Sequence, residues 1–150
     1  MAALTRLELD RNNVTGTLPA AWSNMTTLTR LTINDNYITG TLPSEWSNMH
    51  AMEALRLSIN AFTGTIPSAW SGMGALWELV LSSNSLTGTL PKAWGNNAAL
   101  KYLNVSSNAL HGTIPEAWGN MDALKEVDFT SNSGLTGPVP AGVSLVLAFV

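Results

Sequence analysis

The 150-residue chain has no cysteine, which removes a disulfide framework, a thiolate nucleophile and a thiol metal site together. Charge is scarce too: 11% of residues are Asp, Glu, Lys or Arg, the balance is −3, and no run of like charge forms a tail. An acidic balance argues against nucleic-acid partners, whose binders carry a basic patch. The two histidines, His50 and His111, are 61 residues apart and fall in different parts of the repeating pattern. They cannot share a metal. Carboxyl pairs such as Glu8 with Asp10, or Glu126 with Asp128, alternate along open strand faces and lack the burial that retunes a pKa. No Ser, His and acid arrangement has a nucleophile, a base and an orienter together. These absences predict a protein that is not an enzyme and uses no metal or cofactor.

A long apolar run is also missing. The most apolar stretch, 141–150, has ten residues, against about 20 for a bilayer crossing, so no membrane span is expected. The start, Met1-Ala2-Ala3-Leu4, lacks the charged and apolar regions of a signal peptide. That points to an intracellular chain, or to a mature or excised segment.

What the sequence has in abundance is repetition. Leu28-Thr29-Arg30-Leu31-Thr32-Ile33-Asn34-Asp35-Asn36 returns every 24 residues, with starts at Leu4, Leu28, Met52, Leu76, Leu100 and Leu124. Each start is followed by apolar residues three and five positions on and by Asn at eight, the L-x-x-L-x-L-x-x-N signature of a leucine-rich repeat. Alternation within the stretch buries one strand face and shows the other. One such strand cannot bury its face alone, so six stack into a parallel sheet by neighbour-to-neighbour burial. Asn12, Asn36, Asn60, Asn84, Asn108 and Asn132 stand where each strand turns inward. They read as scaffold, bonding backbone groups that the turn leaves unpaired.

After each strand comes apolar-Thr-Gly-Thr-apolar-Pro, as in Ile38 to Pro43, then Pro-x-x-Trp-x-x-Met-x-x-Leu with tryptophans at 22, 46, 70, 94 and 118. The first part predicts an extended outer segment; the three-residue spacing of the second predicts a short 3₁₀ turn with tryptophan in the core. The L-x-G-x-I/L-P half resembles the plant-specific class of leucine-rich repeats. The expected fold is therefore an α/β solenoid: one domain, 1–150, a right-handed coil of six repeats, with the parallel sheet on the concave side. The sixth repeat carries an extra residue at Asn132-Ser133-Gly134-Leu135, and register resumes afterwards. Val143, Val146 and Phe149 then take the places of Trp, Met and Leu, so 141–150 is expected to be a hydrophobic final helical turn covering the end, with a continuation into further repeats or the remnant of an anchor as the alternatives. Neither terminus has the polar outer face of a cap, which leaves self-association through the ends open.

Pro19-Ala20-Ala21-Trp22-Ser23-Asn24-Met25 and Pro43-Ser44-Glu45-Trp46-Ser47-Asn48-Met49, each behind a Thr-Gly-Thr, resemble the repeats of the kinetoplastid surface-antigen family, the promastigote surface antigens and proteophosphoglycans of Leishmania. The resemblance covers essentially the whole chain. It implies a cell-surface or secreted glycoprotein, often lipid-anchored, that displays its repeats to host molecules, a macrophage complement receptor among them. Family members carry cysteine-rich flanks that this sequence lacks.

The least repetitive positions lie on the solvent side of the strands, and a scaffold that varies one face is suited to binding. The expected partner-binding residues are Arg6, Arg30, Thr32, Arg56, Glu78, Val80, Tyr102, Asn104, Glu126 and Asp128. Arginines gather in the first three repeats and carboxylates in the last three, a polarity that would orient a protein partner. The alternative is an ordinary solvated sheet face, on which expected cross-strand charges such as Glu8 near Arg30 and Arg56 only keep the chain soluble. Six short strands offer a strip of roughly 300 Å², against about 800 Å² per side in a standard interface, so a tight partner must also use the loops at the strand ends. Sequons at Asn13, Asn24 and Asn104 are candidate glycosylation sites; a glycan on Asn104 would obstruct the concave strip. Two further readings stand beside the interaction module: a coat or display unit without a tight ligand, and an intracellular scaffold.

Overall fold

The computed structural model describes residues 3–143 and the backbone of 145–147. Strands follow in the order β1 (Arg6–Glu8), β2 (Thr15–Thr17), β3 (Arg30–Thr32), β4 (Tyr37–Thr41), β5 (Ala54–Arg56), β6 (Ala61–Thr63), β7 (Glu78–Val80), β8 (Thr87–Gly88), β9 (Tyr102–Asn104), β10 (Ala109–Thr113), β11 (Glu126–Asp128), β12 (Gly134–Thr136) and β13 (Leu145–Leu147). Among the described residues, the odd-numbered strands form one seven-stranded parallel sheet in chain order. The even-numbered strands form two three-stranded parallel sheets, β2-β4-β6 and β8-β10-β12, on the opposite side. Thr65 bridges to Thr87 between those two sheets. Among the described residues, five 3₁₀ turns join the two sides, each starting after proline: Ala20–Asn24, Ser44–Asn48, Ser68–Gly72, Lys92–Asn96 and Glu116–Asn120.

Two inward rows, Leu31, Leu55, Leu79, Leu103, Val127 and Ile33, Leu57, Leu81, Val105, Phe129, fill the core beneath the long sheet. The asparagine column locks each coil to the one before. Asn36 Nδ2 donates to the carbonyls of Leu9, Ile33 and Asn34, while its Oδ1 accepts from the Val14 N–H at 3.0 Å. Asn60, Asn84, Asn108 and Asn132 bond their predecessors in the same way. A three-residue strand cannot supply these bonds, so side chains take over the backbone's partners where the ladder ends.

Tryptophan does more than fill volume. Trp46, Trp70, Trp94 and Trp118 are buried, and each indole Nε1 donates to a proline carbonyl 27 residues earlier: Pro19, Pro43, Pro67 and Pro91, at 3.1, 2.9, 3.3 and 3.0 Å. Neighbouring rings stack, Trp22 on Trp46 at 6.0 Å and Trp46 on Trp70 at 6.2 Å. Each of these carbonyls also accepts the tryptophan N–H of its own turn; leucine could occupy the space but could not add the bond that ties one coil to the turn of the coil before.

The chain end departs from the expected final turn. Val143 does begin one, its N–H donating to the Pro140 carbonyl at 3.2 Å. The backbone then leaves it, and β13 pairs with β11, Leu145 opposite Val127 and Leu147 opposite Asp128, with an irregularity between. β11 would otherwise present an unpaired ladder, and satisfying backbone N–H and C=O groups outweighs the three-residue spacing of Val143 and Val146. Phe149 lies outside the described residues.

Candidate interaction faces

Short strands in register bring the expected residues into rows across the coil. Arg6, Arg30, Ala54, Glu78, Tyr102 and Glu126 form one row, and Glu8, Thr32, Arg56, Val80, Asn104 and Asp128 the next. All ten expected binding residues therefore share the seven-stranded sheet, though not all are open to a partner. Thr32 is buried and donates from Oγ1 to Asp10 Oδ2 at 2.7 Å. Asn104 Oδ1 accepts from the N–H and hydroxyl of Ser106 at 3.0 and 2.7 Å. Asp128 accepts from Thr130 in the same manner.

The expected contacts of Glu8 are replaced by another: it pairs along its own strand with Arg6 at 3.0 Å, both side chains more than half exposed. Residues two apart on a strand share a face, and that route needs no reach across coils. An exposed pair of this kind contributes at most about 1 kcal/mol. At the centre, Arg56 Nη2 donates to both carboxylate oxygens of Glu78, at 2.7 and 3.0 Å. Glu78's side chain is 9% exposed and Arg56's 40%. The small Ala54 beside Glu78 leaves room for the arginine to lie across it. The expected basic-to-acidic polarity is thus interrupted in the middle by an ion pair; beyond the exposed Arg6–Glu8 pair, Glu126 is exposed and Arg30, Val80 and Tyr102 are half-buried. Of the sequon asparagines, Asn13 and Asn24 are exposed and Asn104 half-buried.

The sheets behind carry a different surface. Thr17, Thr39, Thr41, Thr63, Thr65, Thr87, Thr89 and Thr113 are exposed there, with no charged side chain among them. Each glycine between two threonines sits at positive φ, 82° at Gly40 and 76° at Gly64. A Cβ on Gly64 would lie 2.9 Å from Thr41 Cγ2 of the preceding coil. The Thr-Gly-Thr motif is therefore a packing device in which one threonine's methyl occupies the space a side chain on the next glycine would need.

The rim where the long sheet's strands end holds features the sequence reading did not single out. Arg11, Asp35, Ile59, Ser83, Ser107 and Ser131, each directly before a ladder asparagine, have φ between 54° and 57°. That conformation costs an L-residue about 1–2 kcal/mol, and a β-branched residue is the poorest occupant. Among the described residues, the large apolar side chains left exposed are Leu4, Tyr37 and Ile59, at 48, 64 and 53%. The signal available in the sequence was a departure from the repeat: isoleucine where three sister coils have serine. Asn97, which breaks the methionine column, is also explained: buried, it accepts through Oδ1 from the N–H groups of Ala99 and Leu100 at 3.0 and 3.1 Å, closing its own turn.

Among the described residues, no group of three His, Asp or Glu is placed to hold a metal, and no helix is long and apolar enough to cross a membrane. A parallel concave sheet, an asparagine ladder and 3₁₀ turns on a 24-residue period define a leucine-rich-repeat solenoid. The chain belongs to the leucine rich repeat family, whose model matches residues 2–62, 26–86 and 74–133.

Solved structures agree. The ectodomain of the plant receptor kinase GASSHO1/SCHENGEN3 from Arabidopsis thaliana, crystallised with CASPARIAN STRIP INTEGRITY FACTOR 2, is 36% identical with a TM-score of 0.86 over 91% of this chain. This chain spans 16% of that one. The BIR3–SERK2 complex from the same plant is 29% identical with a TM-score of 0.80, covering 90% of this chain and 71% of that one. A plant ice-binding protein is 27% identical with a TM-score of 0.79, covering 95% of this chain and 50% of that one. No curated protein matches in sequence.

Proposed function

We propose that the chain is the protein-binding part of an extracellular or cell-surface leucine-rich-repeat protein, its concave sheet meeting a partner polypeptide. The observation behind this is the set Arg30, Val80, Tyr102 and Glu126, half-buried or exposed side chains on the seven-stranded sheet that no ion pair engages among the described residues. Arginine and tyrosine are the residue types that most often dominate interface energy. The GASSHO1/SCHENGEN3 and BIR3–SERK2 structures, each a complex, supply the precedent. The Trp-Ser-Asn-Met repeats point further, to a kinetoplastid surface antigen that meets a host receptor, with Asn13 and Asn24 as exposed glycan positions. The test is capture of recombinant host receptor ectodomains, a macrophage complement receptor included, by the immobilised chain at low and high salt. Salt-sensitive capture lost in Arg30→Glu/Tyr102→Ala supports the reading. Capture that the variant retains in full moves recognition off the concave face.

The threonine rows favour a second reading. Uncharged hydroxyls and methyls on coils about 4.8 Å apart could order water at an ice surface, the ligand named for the plant protein of similar fold. Thermal hysteresis that vanishes in Thr41→Tyr/Thr65→Tyr would favour it; the absence of hysteresis at millimolar protein sets it aside.

A further inference from the structure

We propose that the rim beside β3 and β5 is a second protein-contact site, with Ile59 and Tyr37 as its apolar posts and Arg11 and Asp35 as its charged edge. It rests on the reading of the chain as a protein-binding module and places a contact outside the concave sheet.

The repeat supplies its own control. Six sister positions share one left-handed conformation, and the other five hold arginine, aspartate or serine. Isoleucine is the least suited to it, because its branched Cβ crowds the carbonyl in that region. At 53% exposure it recovers little by burial. The fold accepts serine here three times over, so it does not require isoleucine; strain kept without a structural return marks a site held for another purpose.

Tyr37 departs in the same way. Its sister positions hold Asn13, Ala61, Ser85, Ala109 and Ser133, whereas Tyr37 is 64% exposed. The two departures converge, since the N–H of Asn36, next to Tyr37, donates to the carbonyl of Ile59 at 3.1 Å. Both apolar side chains thus leave the backbone beside a single inter-coil hydrogen bond.

Ile59 also lines a groove of about 440 Å³ with Asp10, Arg11, Asn34, Asp35 and Ser58. Asp10 is committed to the fold, its carboxylate accepting from the Thr32 hydroxyl at 2.7 Å and the Asn34 N–H at 2.6 Å. The side chains of Arg11 and Asp35 have no partner among the described residues. Three successive coils therefore present a cation, an anion and an apolar group, at steps of about 4.8 Å. The complement is a polypeptide segment carrying an acidic, a basic and an apolar side chain in that order, the last seated against Ile59. Charge complementarity sets its direction along the groove.

The experiment pans a library of displayed random peptides on the whole chain, with Tyr37→Ser/Ile59→Ser as the counter-target. The enriched peptides are then synthesised and their affinities measured by fluorescence polarisation. Acid, base and apolar residues in order, affinity lowered about tenfold or more in the rim variant and unchanged in Arg30→Glu/Tyr102→Ala, support the site. Ile59→Ser alone should raise Tm while weakening binding, a combination that a purely structural isoleucine cannot produce. The site is overturned by no enrichment over the counter-target, a lowered Tm in Ile59→Ser, or a dimer by sedimentation that the rim variant abolishes. Peptides lost with the concave variant but not with the rim variant would overturn it too, while leaving the concave reading standing.

Discussion

A single glycine shows how little freedom the repeat allows. Gly64 has φ of 76° and would carry its Cβ 2.9 Å from Thr41 Cγ2, so Gly64→Ala should meet both backbone strain and a clash. A loss of about 2–3 kcal/mol is expected in chemical denaturation. Thr41→Ser removes the clashing methyl and should restore part of that loss, which strain at φ alone would not allow. Asn84 tests the ladder: its amide donates to Leu57, Leu81 and Ser82 carbonyls and accepts from the Phe62 N–H. Asn84→Ala strands these groups, and about 2–4 kcal/mol should be lost, more than a surface asparagine would cost.

Single turns and strand pairs are where the tryptophans and the central ion pair act. Trp70→Phe keeps most of the packing but leaves the Pro43 carbonyl without its 2.9 Å donor. Trp70→Leu also opens a cavity beside Trp46. Unfolding should register about 1–2 kcal/mol for the first and about 2–4 kcal/mol for the second. Arg56→Met leaves the nearly buried Glu78 carboxylate unpaired. The expected loss is about 1–3 kcal/mol, below the range for fully buried pairs because the arginine is 40% exposed. The double variant Arg56→Met/Glu78→Leu should recover most of it in the same assay, and a double as unstable as the sum of the singles would show that the two side chains act independently.

Over the whole molecule, stability is a sum of coil and neighbour terms, and the coils are unequal. Leu55 and Leu79 are fully buried, whereas Leu7, Trp22 and Met25 of the first coil are only partly covered. Hydrogen exchange should therefore protect the amides of β5 and β7 most and those of β1 least. Uniform protection from first coil to last would instead mean a single cooperative unit.

The period, the buried rows, the asparagine column and the 3₁₀ turns were all legible in the sequence. Each is a local pattern, and identical coils stacked in register place identical residues in identical surroundings. Ten binding candidates were placed on one sheet for the same reason. Which of them remain open was not legible, because that depends in part on partners in the neighbouring coil, 22 residues away in the chain: Glu78 under Arg56, Thr32 on Asp10. The strand at 145–147 likewise answers an unpaired neighbour rather than its own spacing. By itself the sequence determined the solenoid and the side of it that varies. Only the tertiary structure decided which side chains the neighbouring coils consume and which, like Glu126, Tyr37 and Ile59, they leave to solvent, because exposure belongs to the contact between coils and not to any one of them.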